Sequence, residues 1–159
     1  HTRSIPSRGL GDVYKRQFSI SVVFLIITSA NSYSQTLKEK DSLKILNVLE
    51  QQRIAWNDND INEFMKGYLK SDKLVFSGSN GPVFGWNFVK DRYLKTYSTK
   101  ELMGYLSFEI NNLFLLSRKV AILLGKFNLQ RKNEKLSGYF TLIFKKINGN
   151  WYIVSDHTS

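Results

Sequence analysis

The chain has 159 residues, 42% of them hydrophobic and 14% aromatic, with a formal net charge of +10. That length predicts one domain, and that composition suits a packed core and argues against disorder. Cys is absent and His occurs twice, which excludes disulfides, thiolate metal sites and a cysteine nucleophile; no metal site and no cofactor are expected.

His1 to Gln17 has no apolar periodicity and mixes Gly, Pro, Ser and Arg. Its end, Asp12-Val13-Tyr14-Lys15-Arg16-Gln17, is the peptide encoded by GAT GTG TAT AAG AGA CAG, a string resembling a transposase end sequence used in sequencing libraries. Residues 1–17 are therefore expected to be a translated adapter, set aside before fold reasoning. Phe18 to Ile27 is an apolar run too short to span a bilayer and right for the core of a signal peptide. Small residues follow at Thr28-Ser29-Ala30 and Ser32-Tyr33-Ser34. The expectation is a signal peptide over 18–34, export to the periplasm or beyond, and a single domain over 35–159. With no Cys near the cleavage point, no stable membrane anchor is expected. Setting aside 1–17 removes Arg3, Arg8, Lys15 and Arg16 against Asp12, lowering the net charge by three. The remaining cations are scattered, without a basic helix or a strip of interleaved aromatics, so no nucleic-acid partner is expected.

In chain order, Asp41 or Ser42 is expected to cap a first helix carrying Ile45, Leu46, Leu49 and Trp56 at helical spacing. Asn57-Asp58-Asn59 breaks it. Asp60-Ile61-Asn62-Glu63 fits a capping box for a short second helix with Phe64, Met65 and Tyr68 on its apolar face. Leu74 to Phe76 and Val83-Phe84 predict a hairpin about the turn Gly78 to Pro82, whose glycines lack the Lys-Ser/Thr of a phosphate cradle. Trp86-Asn87 opens a third helix with Val89, Tyr93, Leu94 and Tyr97 along one face. From Gly104 the period becomes that of strands: Tyr105 to Leu116, Val120 to Gln130, Leu136 to Lys146 and Trp151 to Thr158. Helices followed by an antiparallel meander make the class α+β.

Asn148-Gly149 is a strong two-residue hairpin signal. Centred on it, Lys146 faces Trp151, Phe144 faces Ile153, Leu142 faces Ser155 and Phe140 faces His157. A turn centred on Asn133-Glu134 sets Phe127 opposite Phe140. One face then gathers Leu123, Phe127, Phe140, Leu142, Phe144, Ile153 and His157, nearly all apolar, and belongs under the helices. The other gathers Tyr139, Thr141, Ile143, Val154, Asp156 and Thr158. In this register Asp156 and His157 point to opposite sides; a one-residue bulge would exchange them.

Several pieces of the sequence resemble one family: Gln52-x-x-Ala55-Trp56-Asn57, Asp60-x-x-x-Phe64-Met65-x-x-Tyr68, Ser71-Asp72-x-Leu74-x-Phe76, Gly85-Trp86, Gly138 to Leu142, and Trp151-x-Ile153-Val154-x-Asp156-His157-Thr158-Ser159. Together they resemble the nuclear transport factor 2-like superfamily, in its SnoaL-like branch, domain of unknown function 4440. The resemblance implies a cone, a strongly curved sheet wrapped on three helices around a cavity, commonly dimeric through the outer sheet face. Relatives include isomerases, cyclases, dehydratases and non-catalytic binding modules, so the fold does not choose among functions.

On that reading Trp56, Tyr68, Trp86 and Tyr93, with Phe127, Phe140 and His157 on the apolar wall, are the candidate ligand-binding residues for a small apolar or aromatic molecule. His157 is also the candidate catalytic base, partnered by Tyr68 or Tyr93. The cavity carboxylate that isomerase-type relatives use has no evident counterpart: Asp58, Asp60 and Asp72 lie at helix ends or turns, Glu109 lies within the third strand on a face the register does not assign, and Asp156 is read as facing outward. The first expectation is therefore an exported small-molecule-binding protein. The others are a cofactor-independent isomerase, cyclase or dehydratase of the SnoaL type, and a homodimeric interaction module.

Overall fold

The computed structural model describes residues 36 and 38–159. The expected adapter, the signal peptide over 18–34 and the domain start at residue 35 lie outside the described residues. Lys40–Ser159 forms one compact unit.

Helix α1 runs through 40–57 and buries Ile45, Leu49 and Trp56 along one stripe, as the 3.6-residue period dictates. Asp41 and Ser42 lie within the helix rather than at its cap. Asp41 instead accepts from Lys146 Nζ at 2.6 Å and Trp151 Nε1 at 3.1 Å, tying α1 to the last hairpin. Asn59 ends the helix in a left-handed conformation, φ 62°, while the Asp60 N–H reaches back to the Ala55 carbonyl at 2.8 Å. Asp60 then caps α2 (Ile61–Phe64), accepting from Glu63 N at 2.9 Å. Glu63 pairs with Lys66 rather than completing the capping box. A 3-10 turn, Met65–Gly67, follows.

Strands β1 (Val75–Gly78) and β2 (Gly81–Phe84) form the expected hairpin, and α3 spans Trp86–Thr96. A one-turn helix absent from the sequence reading, α4 (Lys100–Met103), leads into β3 (Tyr105–Leu115). The meander continues with β4 (Val120–Gln130), β5 (Lys135–Ile147) and β6 (Asn150–Thr158). The six strands make one curved sheet in the order β2-β1-β6-β5-β4-β3, with helices from the N-terminal half of the domain. The class is α+β, as expected. One junction is not antiparallel: β1 runs parallel to β6, with Phe76 beside Asp156.

Three features of register decide which side chains face inward. Asn148 and Gly149 adopt positive φ, 50° and 82°, as a tight hairpin turn requires, and Lys146 pairs with Trp151 and Phe144 with Ile153 as the turn dictates. At β4–β5 the connection is longer than expected, Gln130 pairing with Lys135, so Phe127 faces Gly138 and Gly125 faces Phe140. That corrects the expected Phe127–Phe140 pairing by two residues, and an even slip leaves every side chain on its face. On β6 the slip is odd. Phe144 pairs with Ile153 but Ile143 pairs with Ser155, leaving Val154 as an unpaired bulge. From there the alternation inverts: Asp156 is buried and His157 exposed. The expected facing of these two residues is thus reversed, and the cause is one extra residue in the strand.

Candidate functional site

The inner face of the sheet and the helices line a cavity of about 130 Å³. Its floor owes its depth to two glycines. Gly125 and Gly138 leave room for the rings of Phe140 and Phe127 to lie across the neighbouring strand. A Cβ on Gly125 would come within 2.4 Å of Phe140 Cζ, and one on Gly138 within 2.7 Å of Phe127 Cε1. Phe108 meets Phe140 edge to face at 5.5 Å. The opposite wall is an aromatic cluster from α1, α2 and α3, in which Trp56 contacts Phe64 at 5.2 Å and Tyr97 at 4.7 Å, and Tyr93 contacts Phe64 at 5.2 Å. Trp56 is fixed by a hydrogen bond from Nε1 to the Met103 carbonyl, 3.1 Å. Asn57 clips the end of α1 to β3, donating to Leu106 O at 3.0 Å and accepting from Leu106 N at 2.8 Å.

One charged side chain enters this apolar space. Asp156 is 4% exposed and carries two hydrogen bonds, from Tyr68 Oη to Oδ2 at 2.6 Å and from Thr158 Oγ1 to Oδ1 at 2.7 Å. Tyr68 is held in place by its backbone, which bridges to Ile153 of β6, with Leu69 N donating to Ile153 O at 2.8 Å. Burial pushes the Asp156 carboxyl above its ordinary range, against the opposing pull of the Tyr68 and Thr158 hydrogen bonds and the His157 charge. Burial also pushes the Tyr68 and Tyr93 phenols well up, and the nearby Asp156 charge adds to it. Both phenols thus stay protonated donors. Each Asp156 oxygen has one protein donor, and a carboxylate accepts about four hydrogen bonds, so the group has capacity left for a ligand. The site combines a proton acceptor, two phenols and a largely apolar wall.

Of the residues expected to form the pocket, Trp56, Tyr68, Tyr93, Phe127 and Phe140 line this cavity. Trp86 does not; its Nε1 bonds the Met65 carbonyl at 3.0 Å, and Lys70 and Lys90 approach its ring at 5.2 and 5.3 Å. His157 does not either, because the Val154 bulge turns it outward, between Thr141 of β5 and Ser77 of β1. The sequence reading missed Asp156, Thr158, Phe76 and Tyr97, which line the cavity. A signal existed for the first two: after Trp151 and Ile153 the next inward position on a regular strand is the polar Ser155. Among the described residues no group of three His, Asp or Glu side chains is arranged to hold a metal ion.

Neither a family model nor a curated protein matches this sequence. Solved structures do. A nuclear transport factor 2-like protein of unknown function from Shewanella oneidensis is 33% identical, covering 75% of this chain and 98% of its own, with a TM-score of 0.73. A nuclear transport factor 2-like protein of unknown function from Pseudomonas putida is 16% identical, covering 76% of this chain and 87% of its own, with a TM-score of 0.64. A domain of unknown function with a cystatin-like fold from Nostoc punctiforme is 15% identical, covering 76% of this chain and 75% of its own, with a TM-score of 0.62. The last two show the fold alone. On the first, with the six-stranded sheet around a hollow aromatic core, the chain belongs to the nuclear transport factor 2-like family.

Proposed function

We propose that the domain binds a small, largely apolar molecule whose one polar group docks on Asp156. The observation that carries this reading is a buried carboxyl, bonded by Tyr68 and Thr158, on the wall of a largely apolar cavity of about 130 Å³ that also includes the Gln52 side chain. An apolar protein cavity of about 150 Å³ takes up benzene, so the fitting ligand is about one six-membered ring. Calorimetric titration with benzyl alcohol tests it: saturable binding that Asp156→Leu abolishes is expected. Absence of binding, or binding indifferent to Asp156, overturns the proposal.

A second reading, a cofactor-independent isomerase, cyclase or dehydratase of the SnoaL type, is favoured by the same carboxyl. With burial raising the proton affinity of the Asp156 carboxylate, and the Tyr68 and Tyr93 phenols kept protonated, the carboxylate suits removal of a proton next to a carbonyl, a phenol stabilising the oxyanion. The base is then Asp156 rather than His157. Deuterium exchange into cyclohexanone, followed by NMR, tests it: protein-dependent exchange lost in Asp156→Asn supports the enzyme, and no exchange above buffer removes it.

Two further expectations remain part of the proposal. Dimerisation through the outer sheet face is supported by an apolar row across three strands, Phe114, Ile122 and Ile143, with Phe114 and Tyr139 exposed. Light scattering tests it, and a monomer at every accessible concentration removes it. Export rests on the apolar run Phe18 to Ile27; retention in the cytoplasm with an uncleaved N-terminus would remove it.

A further inference from the structure

Helix α1 presents Ile45, Leu49, Gln52 and Trp56 at intervals of three and four residues, which sets them on one inward stripe. Three of the four are the apolar residues that such a stripe calls for; the third in order is an amide, 3% exposed. Tyrosine and tryptophan aside, Gln52 and Asp156 are the two buried polar side chains among the described residues, and both line the main cavity. Burying an amide costs free energy unless its hydrogen bonds are made, so the partners of Gln52 decide its role.

One bond is made. Nε2 donates to the Phe64 carbonyl at 3.2 Å, and because a carbonyl only accepts, the nitrogen is the amide atom that must face it. Gly67 leaves the space for this: a Cβ there would lie 2.7 Å from Gln52 Cδ and 2.8 Å from Nε2. Oε1 has no donor among the described residues. Of their fully buried side-chain nitrogen and oxygen atoms, Arg131 Nε alone lacks a partner, so Oε1 borders open space rather than packed protein. Gln52 is the residue that the cavity shares with an outer groove, whose wall includes Gly67. With the nitrogen against Gly67, the oxygen is the amide atom left for the cavity side.

We propose that Gln52 Oε1 is a second polar contact of the cavity, so that the preferred ligand is a ring carrying two hydrogen-bond donors, one for Asp156 and one for Gln52. This rests on the cavity being the ligand site, and it adds a second polar substituent to the ligand's chemistry. Both acceptors stand on the wall of one cavity that holds about one ring. Phe64, whose carbonyl anchors Gln52, also packs its ring 5.9 Å from that of Tyr68, the donor to Asp156. A molecule filling that space meets both.

The three dihydroxybenzenes, each paired with the fluorophenol that has fluorine in place of its second hydroxyl, are titrated calorimetrically into the full chain. At least one dihydroxybenzene binds roughly fivefold more tightly than its fluorophenol, as one added net hydrogen bond implies. Gln52→Met, which keeps the length of the side chain without the oxygen, removes that preference. Should this variant fail to fold, the Gln52 side-chain amide signal of the unaltered protein, followed by NMR, decides instead: it shifts further with the dihydroxybenzene than with the fluorophenol, and equal shifts overturn the proposal. If the fluorophenols bind and no dihydroxybenzene binds better, or if the preference survives in Gln52→Met, the second contact is overturned while the cavity reading stands. If no probe binds the unaltered protein, both are overturned.

Discussion

The Tyr68 phenol and the Asp156 carboxyl, 88 residues apart in sequence, meet at 2.6 Å in the interior. Backbone contacts set up the meeting: the segment after the 3-10 turn bridges to Ile153, while β1 runs parallel to β6 on the same stretch of strand. Replacing Tyr68 by Phe removes the donor and leaves the carboxyl buried with Thr158 alone. The cost of an unsatisfied buried acceptor is about 1–3 kcal/mol, and urea denaturation should show a loss in that range. The same change removes an interaction that holds the Asp156 pKa down, so the carboxyl should titrate higher still.

Asp156 makes stability depend on pH with an unusual sign for an acid. Its folded pKa lies above the ordinary value of 3.8, so in the window between those two values the folded protein holds more protons than the unfolded chain. Stability contributed by this group is therefore lost as pH rises through the window, opposite to the behaviour of a paired carboxylate. Asp156→Asn removes the titration. Relative to the unaltered protein the variant should gain stability as pH is raised from 3.8 through the folded-state pKa of Asp156, measured by denaturant titration at each pH. A constant difference between the two proteins would contradict the raised pKa.

His157 is exposed and outside the cavity. His157→Ala should change stability by no more than about 0.5 kcal/mol and leave the affinity for benzyl alcohol unchanged. A tenfold loss of affinity, about 1.4 kcal/mol, would mean that the β6 bulge is absent in solution.

Gly125→Ala tests the floor of the cavity. The added methyl meets Phe140 Cζ at 2.4 Å and the Glu109 carbonyl oxygen at 2.8 Å. The backbone oxygen cannot withdraw easily, so Phe140 must tilt into the cavity. Overpacking of this kind costs about 1–3 kcal/mol, read from the denaturation midpoint, and binding of a ring-sized probe should weaken in parallel.

Much of the fold was legible because local chemistry specified it. Asn148-Gly149 determined the hairpin from Lys146–Trp151 to Phe144–Ile153, Asp60 marked the start of α2, and the face of Val89 and Tyr93 identified α3. The turn between β4 and β5 was read too far along the chain, but the even slip did no harm to Phe127 or Phe140. Two things were not legible. The parallel pairing of β1 with β6 has no connecting turn to announce it, and it brings Phe76 beside Asp156. The bulge at Val154 has no composition of its own, since valine is an ordinary strand residue, and only the polar Ser155 at the next inward position hints at it. Because of it, the one carboxyl that matters at the wall was assigned to the wrong side.

That single unpaired residue has an evolutionary consequence. Asp156 and His157 are adjacent, and whichever points inward decides whether the cavity offers a carboxyl or an imidazole. Were the strand to run regularly with its residues unchanged, His157 would face inward in place of Asp156, while the Asn148-Gly149 turn and the pairs nearest it stayed intact. A change of site chemistry that ordinarily needs a substitution, with its own packing to resolve, is reachable here by the gain or loss of a bulge. Gapless alignment of this last strand with a relative that lacks the bulge would equate residues that face opposite ways, and would misassign the acid or the base.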